Sequence, residues 1–249
     1  MIRSVRSSSH RSTSWAAGAS ALVVAAAAAA EGLPLISPIG VGPAPPAPWH
    51  VVGLPRRSTA VTRFTVAEID GRRALRIEAD QAYGNLVHPL PNVGAGTLAW
   101  RWRVDAPIVG ADLCRKAGDD AALKVCALFA LPDSNVPFIE RQLLRFAEAR
   151  AGEHLPTATL CYVWDASAIA QGTLLHNAFT HRVRFIVVHG TPQRWSEERH
   201  DLAADFLRAF GDEAKVVPPL EGVLIGADSD NTGSHSVAWL DSLALTAPR

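Results

Sequence analysis

Two short acidic segments carry the residue types that most readily bind a cation or hold a proton. In the first segment, Lys116 precedes the adjacent carboxylates Asp119 and Asp120. Paired carboxylates beside a lysine can ligate a hard cation or keep a proton at neutral pH. The same pattern is also typical of a solvated turn with a surface ion pair. We therefore predict these three residues as ligand-binding candidates, with a plain turn as the alternative.

The second segment, Asp228-Ser-Asp-Asn-Thr-Gly233, has oxygen-bearing side chains at alternate positions and a glycine, as calcium loops do. A helix–loop–helix calcium hand is excluded, because Trp239 stands where the closing glutamate belongs. A looser calcium site using Asp228, Asp230 and Asp241 is the prediction, and a hairpin loop with an Asx turn is the alternative. Calcium is the one cofactor that these residues suggest.

Seven tryptophans are available as aromatic platforms, on which the apolar C–H face of a sugar ring can stack. Trp100 and Trp102 share one face of an alternating segment with other apolar residues, which indicates a place in the core. Trp164 and Trp195 lie at a strand end and at the start of a predicted helix, where a ligand could reach them. They are the predicted sugar-stacking candidates, although a hydrophobic staple explains Trp195 equally well.

Several classes of function are unsupported by the sequence. It has 24 basic and 24 acidic side chains, whereas a general nucleic-acid binder has a clear basic excess. The Gly-x-Ser-x-Gly, His-Glu-x-x-His and Gly-x-x-x-x-Gly-Lys motifs are absent from it. We therefore expect no nucleic-acid partner, and nothing indicates familiar hydrolase, zinc-protease or nucleotide-binding machinery.

These residues must be positioned by the rest of the chain. In most of it apolar and polar residues alternate with a period of two, which is typical of half-buried strands. Asp70-Gly71 favours a hairpin turn between the first two strands. The pattern predicts an all-β, antiparallel, jelly-roll-like sandwich. The predicted strands are Val61–Ala67, Arg73–Ala79, Thr97–Val104, Leu123–Ala130, Thr157–Trp164, Arg182–Val188, Gly222–Ala227 and Val237–Thr246.

Two segments have helical spacing instead. The first contains Ile139, Leu143 and Phe146 and is stopped by Gly152. The second is Trp195–Phe210, with Ser196 as the predicted N-cap.

Three cysteines are too few for a disulfide scaffold. Cys126 and Cys161 lie on the less apolar faces of their predicted strands, so they can form a disulfide if those strands pair. Buried thiols are the alternative, and in either case Cys114 has no disulfide partner within the chain.

The N-terminal region predicts export. A basic start and an apolar, alanine-rich run indicate a signal peptide at residues 1–30. An uncleaved membrane anchor and a soluble helix are the alternatives. Residues 31–48 are proline-rich and are predicted to be a linker, and residues 49–249 form the predicted sandwich domain. We expect a periplasmic or secreted protein with no membrane span after cleavage.

Five stretches together carry a resemblance to a known family: Leu98–Val104, Lys116–Asp120 with Lys124, Leu160–Trp164, Trp195–Arg199 with Asp201, and Asp228–Gly233. In these stretches the chain resembles an uncharacterised bacterial family called domain of unknown function 3047 (DUF3047). This resemblance implies an exported jelly-roll-like sandwich. It also adds weight to a few charged residues without giving them roles: Asp119, Asp120, Glu198, Arg199, Asp228 and Asp230.

Together these observations predict an exported ligand-binding module whose ligand is a glycan or another small molecule. Carbohydrate is favoured by analogy with other sandwiches. One alternative is a periplasmic glycan hydrolase or lyase that uses Asp119 or Asp120 with Glu198. Another alternative is a purely structural envelope protein. We also predict that Arg199 faces Asp119 or Asp120, since a guanidinium can bind one carboxylate through two hydrogen bonds.

Overall fold

A computed structural model describes Met1 and residues 36–54, 59–152, 154–166 and 169–248. Apart from Met1, the predicted signal peptide lies outside the described residues, and so do residues 31–35 of the predicted linker.

The described chain is mostly β-structure, arranged in two sheets. The larger sheet has the order β1-β5-β12-β7-β8-β10-β9, with β2 paired to β5, and the smaller sheet has the order β11-β6-β13-β4-β3. The strands are β1 His50–Val52, β2 Ala60–Val61, β3 Arg63–Ile69, β4 Arg72–Asp80, β5 Ala82–Val93, β6 Thr97–Ala106, β7 Ala121–Phe129, β8 Ala158–Asp165, β9 Leu174–His176, β10 Val183–His189, β11 Ser196–Asp201, β12 Leu220–Asp228 and β13 His235–Thr246.

The predicted fold class is confirmed. All the pairs between the described strands are antiparallel except β8 with β10 and β2 with β5. The predicted hairpin at Asp70-Gly71 joins β3 to β4, and both turn residues have positive φ. This is the backbone conformation that Asp-Gly favours in a two-residue hairpin turn.

The core lies between the sheets, as the alternating pattern predicts. Leu98, Trp100, Trp102 and Val104 of β6 are at most 2% exposed. They pack with the inward residues of β7, β8 and β12 in one apolar cluster. Burial of this apolar surface is the main force that holds the two sheets together.

A smaller apolar cluster lies on the opposite face of the larger sheet and contains a disulfide. Cys126 of β7 and Cys161 of β8 are direct cross-strand partners and are bonded to each other. Cys114 is free and exposed. The conditional prediction of this disulfide is thus confirmed.

Within the described residues, two α-helices interrupt the strands. Helix α1, Phe138–Ala151, ends where Gly152 adopts left-handed φ, as predicted. The second predicted helix is wrong in its first half, because Ser196–Asp201 forms β11. Helix α2 covers Leu202–Phe210, and the side chain of Asp201, rather than that of Ser196, accepts its first backbone N–H groups. No helix of the described part of the chain is long and apolar enough to span a bilayer.

The described part of the proline-rich segment packs against the sandwich. Ile36 is 4% exposed, and the backbone N–H of Ser37 donates to Nε2 of His88 at 3.0 Å. Trp49 donates its indole N–H to the carbonyl of Ser37 at 2.9 Å. The folded unit therefore begins before the predicted boundary at Trp49, and this part of the segment is docked instead of being a free linker.

Candidate ligand-binding site

The two acidic segments meet and bond to each other. Asp120 is 1% exposed. It accepts hydrogen bonds from the backbone N–H and side-chain amide of Asn231. It also accepts bonds from the backbone N–H and hydroxyl of Thr232, at 2.7 and 2.6 Å. Both oxygens of Asp120 are thus occupied by donors within the protein, which is the bonding expected of a structural carboxylate.

An ion pair between two largely buried side chains lies next to this network. Oδ1 of Asp228 accepts from Nζ of Lys124 at 3.0 Å and from the backbone N–H of Ala121 at 3.1 Å. Burial raises the pKa of Asp228 to about 6, and the ammonium of Lys124 opposes that shift. Burial also disfavours the charge on Lys124, but the neighbouring acidic groups, Asp228 foremost, together outweigh this effect and raise the lysine pKa. The pair joins the start of β7 to the end of β12.

The other two candidates of the first segment lie in different surroundings. Asp119 is 7% exposed and accepts from the side-chain amide of Asn177 at 2.6 Å. Burial raises the pKa of this carboxyl, against the effect of that hydrogen bond. Lys116 is exposed, and its Nζ lies 5.2 Å from the ring centroid of Phe179. No ion pair between Lys116 and either aspartate occurs among the described residues.

The predicted calcium site does not fit this arrangement. Asp241 lies on β13 and pairs with Arg101 at 3.6 Å, whereas Asp228 pairs with Lys124. The donors around Asp228 are N–H and ammonium groups, which repel a cation. Across the described part of the chain, including the half-buried Asp230, no group of three His, Cys, Asp or Glu side chains is placed to hold a metal ion.

The predicted contact between Arg199 and the acidic loop is wrong. Arg199 lies on β11, the edge strand of the smaller sheet, and its side chain is exposed. Among the described ion pairs, Arg199 has none with Asp119 or Asp120. The reason is the strand alternation of β11, which directs Glu198 inward and Arg199 outward.

Glu198 instead belongs to a network around His200. Nε2 of His200 lies 3.5 Å from Glu198, and Nδ1 lies 3.6 Å from Asp205 of α2. The imidazole stacks on Tyr162, with ring centroids 3.9 Å apart, and on Trp100, with centroids 5.2 Å apart. Burial opposes the imidazolium charge, but the two carboxylates outweigh it and raise the pKa of His200. The surroundings of this histidine therefore favour its protonated form.

Sequence reasoning missed His200 and Asp205. The helical spacing predicted for Ser196–Asp201 does not place Glu198 and His200 on one face, whereas the strand that these residues form does. Tyr162 donates to Asp205 at 2.7 Å, and this contact between β8 and α2 has no local sequence signal.

Trp195 lies beside an open depression between the two sheets. The loop from β10 to β11 crosses from the larger to the smaller sheet and lines this open cavity of about 310 Å³. The lining residues are His189, Gly190, Thr191, Arg194, Trp195 and Ser196. The Trp195 indole N–H donates to Asp70 at 3.0 Å, and the Arg101 guanidinium lies 5.2 Å from the ring centroid. The half-exposed ring is therefore held in place from two sides.

Trp164 has a different role from the predicted one. It is 4% exposed and packs in the core, so its ring offers no stacking face. Its indole nitrogen, however, lies against Gly190 and has no hydrogen-bond partner in the described structure. A Cβ at position 190 would lie 1.8 Å from that nitrogen, so only glycine fits there. The hydroxyl of Ser196, which also lines the cavity, is likewise buried and unpartnered.

The fold and this edge depression define a β-sandwich protein with a small open site. The model of the family described as "Protein of unknown function (DUF3047)" matches residues 47–244, and the chain belongs to this family. No curated protein matches the chain.

Several solved structures are similar in fold. A family 12 xyloglucanase from Bacillus licheniformis aligns with this chain at 7% identity and a TM-score of 0.44. The alignment covers 85% of this chain and 98% of the xyloglucanase chain. The K3 adhesin domain of Lys-gingipain from Porphyromonas gingivalis covers 81% and 93%, at 10% identity and a TM-score of 0.38. TmCBM61 in complex with β-1,4-galactotriose covers 81% and 89%, at 8% identity and a TM-score of 0.34. At such values any functional conclusion must come from this chain's own geometry.

Proposed function

We propose that this protein is an exported carbohydrate-binding module whose ligand site is the depression beside Trp195. The observation that carries the proposal is a half-exposed indole ring, fixed by Asp70 and Arg101, at the side of an open cavity. A ring fixed before binding loses little conformational entropy when a sugar stacks on it. The apolar C–H face of a pyranose matches such a π surface.

The polar groups near the ring support a hydroxyl-rich ligand. The hydroxyl of Ser196 can donate and accept, the guanidinium of Arg194 can only donate, and both residues line the cavity. The hydroxyl of Ser196 has no hydrogen-bond partner in the described structure. Unpartnered buried polar groups are rare in folded proteins, so this hydroxyl is a candidate hydrogen-bonding group for a ligand in the cavity.

Binding is favoured over catalysis by the placement of the carboxylates. Glycoside cleavage requires two carboxyl groups roughly 5–10 Å apart across one cleft. Asp120 is occupied by Asn231 and Thr232, at the ends of strands in the larger sheet. Glu198 accepts from Trp102 and faces His200 on the edge strand of the smaller sheet. The residues predicted for an enzyme thus belong to two separate networks.

The proposed location is the periplasm or the medium. It is supported by the basic start and the alanine-rich run of residues 1–30. The Cys126–Cys161 disulfide adds support, since disulfides persist mainly in oxidising compartments.

The test is a glycan array followed by calorimetric titration of the sugar that gives the strongest signal. Trp195→Ala should weaken binding at least about tenfold, which corresponds to about 1.4 kcal/mol. The matched control is Phe179→Ala, which removes another exposed aromatic that lies beside Lys116. Binding that survives Trp195→Ala would overturn the proposed site. Binding that is lost with Phe179→Ala and kept with Trp195→Ala would move the site to the segment of Lys116, Asp119 and Asp120. No signal on the array would favour a purely structural protein.

A further inference from the structure

Helix α1 has four large apolar residues turned outward. Phe138, Ile139, Leu143 and Phe146 are 67%, 71%, 58% and 62% exposed. None of the residues of α1 is buried. A surface helix of a globular protein normally places such residues against the core. A contiguous exposed apolar patch of this kind marks an interaction surface.

The inward side of α1 is held by charged groups, which fixes this orientation. Oε2 of Glu140 lies 3.6 Å from Nε of Arg182, which is itself buried. Near the other end, Oε1 of Glu148 lies 2.9 Å from Nδ1 of His154, and Nε2 of His154 lies 3.2 Å from Glu221 of β12. Contacts at both ends of the helix therefore keep its apolar side away from the sandwich.

The charges on the outward side are basic. Arg145 and Arg150 are exposed there, whereas the two acids of α1, Glu140 and Glu148, face the sandwich. The Arg150 guanidinium lies 5.3 Å from the ring of Phe146, so the cation lies over the apolar patch. Arg145 also lies 3.3 Å from Asp133, and both side chains of this ion pair are exposed to solvent.

We propose that α1 docks onto an anionic lipid surface, lying in the plane of the interface. An amphipathic helix with aromatic and aliphatic residues on one side, flanked by arginines, can bury that side in the boundary between headgroups and acyl chains. The arginines extend their charged ends to the lipid phosphates while their stems remain in contact with the apolar residues. Charge complementarity selects an anionic partner, because the exposed side of α1 carries arginines and no acid. The exposed apolar residues beside these arginines favour a lipid surface as that partner.

A fluorescent label placed on α1 tests the proposal in the full chain. Gln142, which is exposed between Ile139 and Leu143, is changed to cysteine in a Cys114→Ser background and labelled with nitrobenzoxadiazole. The native Cys114 of the unmutated chain carries the same label as the control. Cys114 precedes β7 and α1 follows it, so the two labels lie towards opposite ends of that strand.

Vesicles of phosphatidylcholine, with and without about one-third phosphatidylglycerol, are then added. We expect a blue shift of the label at position 142 with the anionic vesicles, a smaller shift with the neutral ones, and little change at Cys114. Leu143→Ser with Phe146→Ser should abolish the shift at position 142. Arg145→Glu with Arg150→Glu should remove the preference for anionic lipid.

Three results would overturn the proposal. The first is no shift at position 142 with either kind of vesicle, and the second is an equal shift at Cys114. The third is a shift that grows with protein concentration in the absence of lipid, which would assign this side of α1 to a second copy of the chain.

Discussion

Thr232 donates two hydrogen bonds to one oxygen of Asp120, from its hydroxyl at 2.6 Å and from its backbone N–H at 2.7 Å. The two residues are 112 positions apart in the chain. This contact unites two segments that look like separate candidate sites in the sequence. It also explains why the Asp120 carboxylate and the Thr232 donors are not available to a ligand: they are bonded to each other.

Asp120→Asn should lower the free energy of unfolding by about 2 kcal/mol, because the new amide group places a donor against donors in a buried network. Urea unfolding followed by tryptophan fluorescence measures the change. Asp133→Asn is the control, since Asp133 is exposed and its pair with Arg145 is open to solvent. Equal stability of the two variants would show that the Asp120 bonds contribute little.

Calcium should leave the melting temperature of the chelator-treated protein unchanged, because Lys124 and backbone N–H groups occupy Asp228 and Asp120. A ligand that binds only the native state raises the melting temperature by mass action. A rise at millimolar calcium that Asp230→Ala removes would reinstate the calcium site predicted from the sequence.

His200 should make stability depend on pH. Its folded pKa is raised above the ordinary value of 6.5. The stability that it contributes is therefore fully present below that value and is lost as the pH rises through the raised folded pKa. His200→Gln should cost about 2 kcal/mol at acidic pH and less at alkaline pH.

Unfolding curves across this pH range, compared with those of the exposed His50→Gln variant, measure the His200 effect. If the difference in the free energy of unfolding between wild type and His200→Gln does not change with pH, the assignment of a charged imidazole is contradicted.

Replacing both Cys126 and Cys161 by serine should lower stability by about 3 kcal/mol, because the bridge closes a loop between residues 35 positions apart. Cys114→Ser is the control and should change little, since this thiol is exposed. Thiol titration of the denatured, unreduced protein should find Cys114 alone. Three reactive thiols would contradict the disulfide.

Export should remove the first residues of the chain. N-terminal sequencing of protein from a periplasmic extract should begin near Glu31, after the alanine-rich run. Retention of Met1 in protein confined to the cytosol would show that this region is not a signal peptide.

Local patterns predict the strands wherever one face meets the core. The alternation from Leu98 to Val104 indicates the buried face of β6, and Asp70-Gly71 indicates the hairpin turn between β3 and β4. The pattern fails for β5, whose Pro89 and Pro91 are untypical of a strand interior. It also fails for β11, an edge strand whose six residues are all polar and so lack an apolar period.

The candidate site was only partly predictable. Trp195 stands out as a tryptophan beside a charged segment, but its partner Asp70 comes from a distant turn. The unpartnered nitrogen of Trp164 depends on the close approach of Gly190, which only the folded backbone reveals. Contacts between distant segments determine which polar groups have hydrogen-bond partners within the protein. Such contacts cannot be predicted from a single sequence.

The polar edge strand β11 has a consequence for how copies of this protein behave at high concentration. An open strand edge can act as a template for another chain and so lead to aggregation. Glu197, Arg199 and Asp201 project from this edge strand into solvent. Any strand that extended the smaller sheet at this edge would have to lie against these charges. The side chains that break the apolar pattern of β11 thus protect the sheet against growth by strand addition.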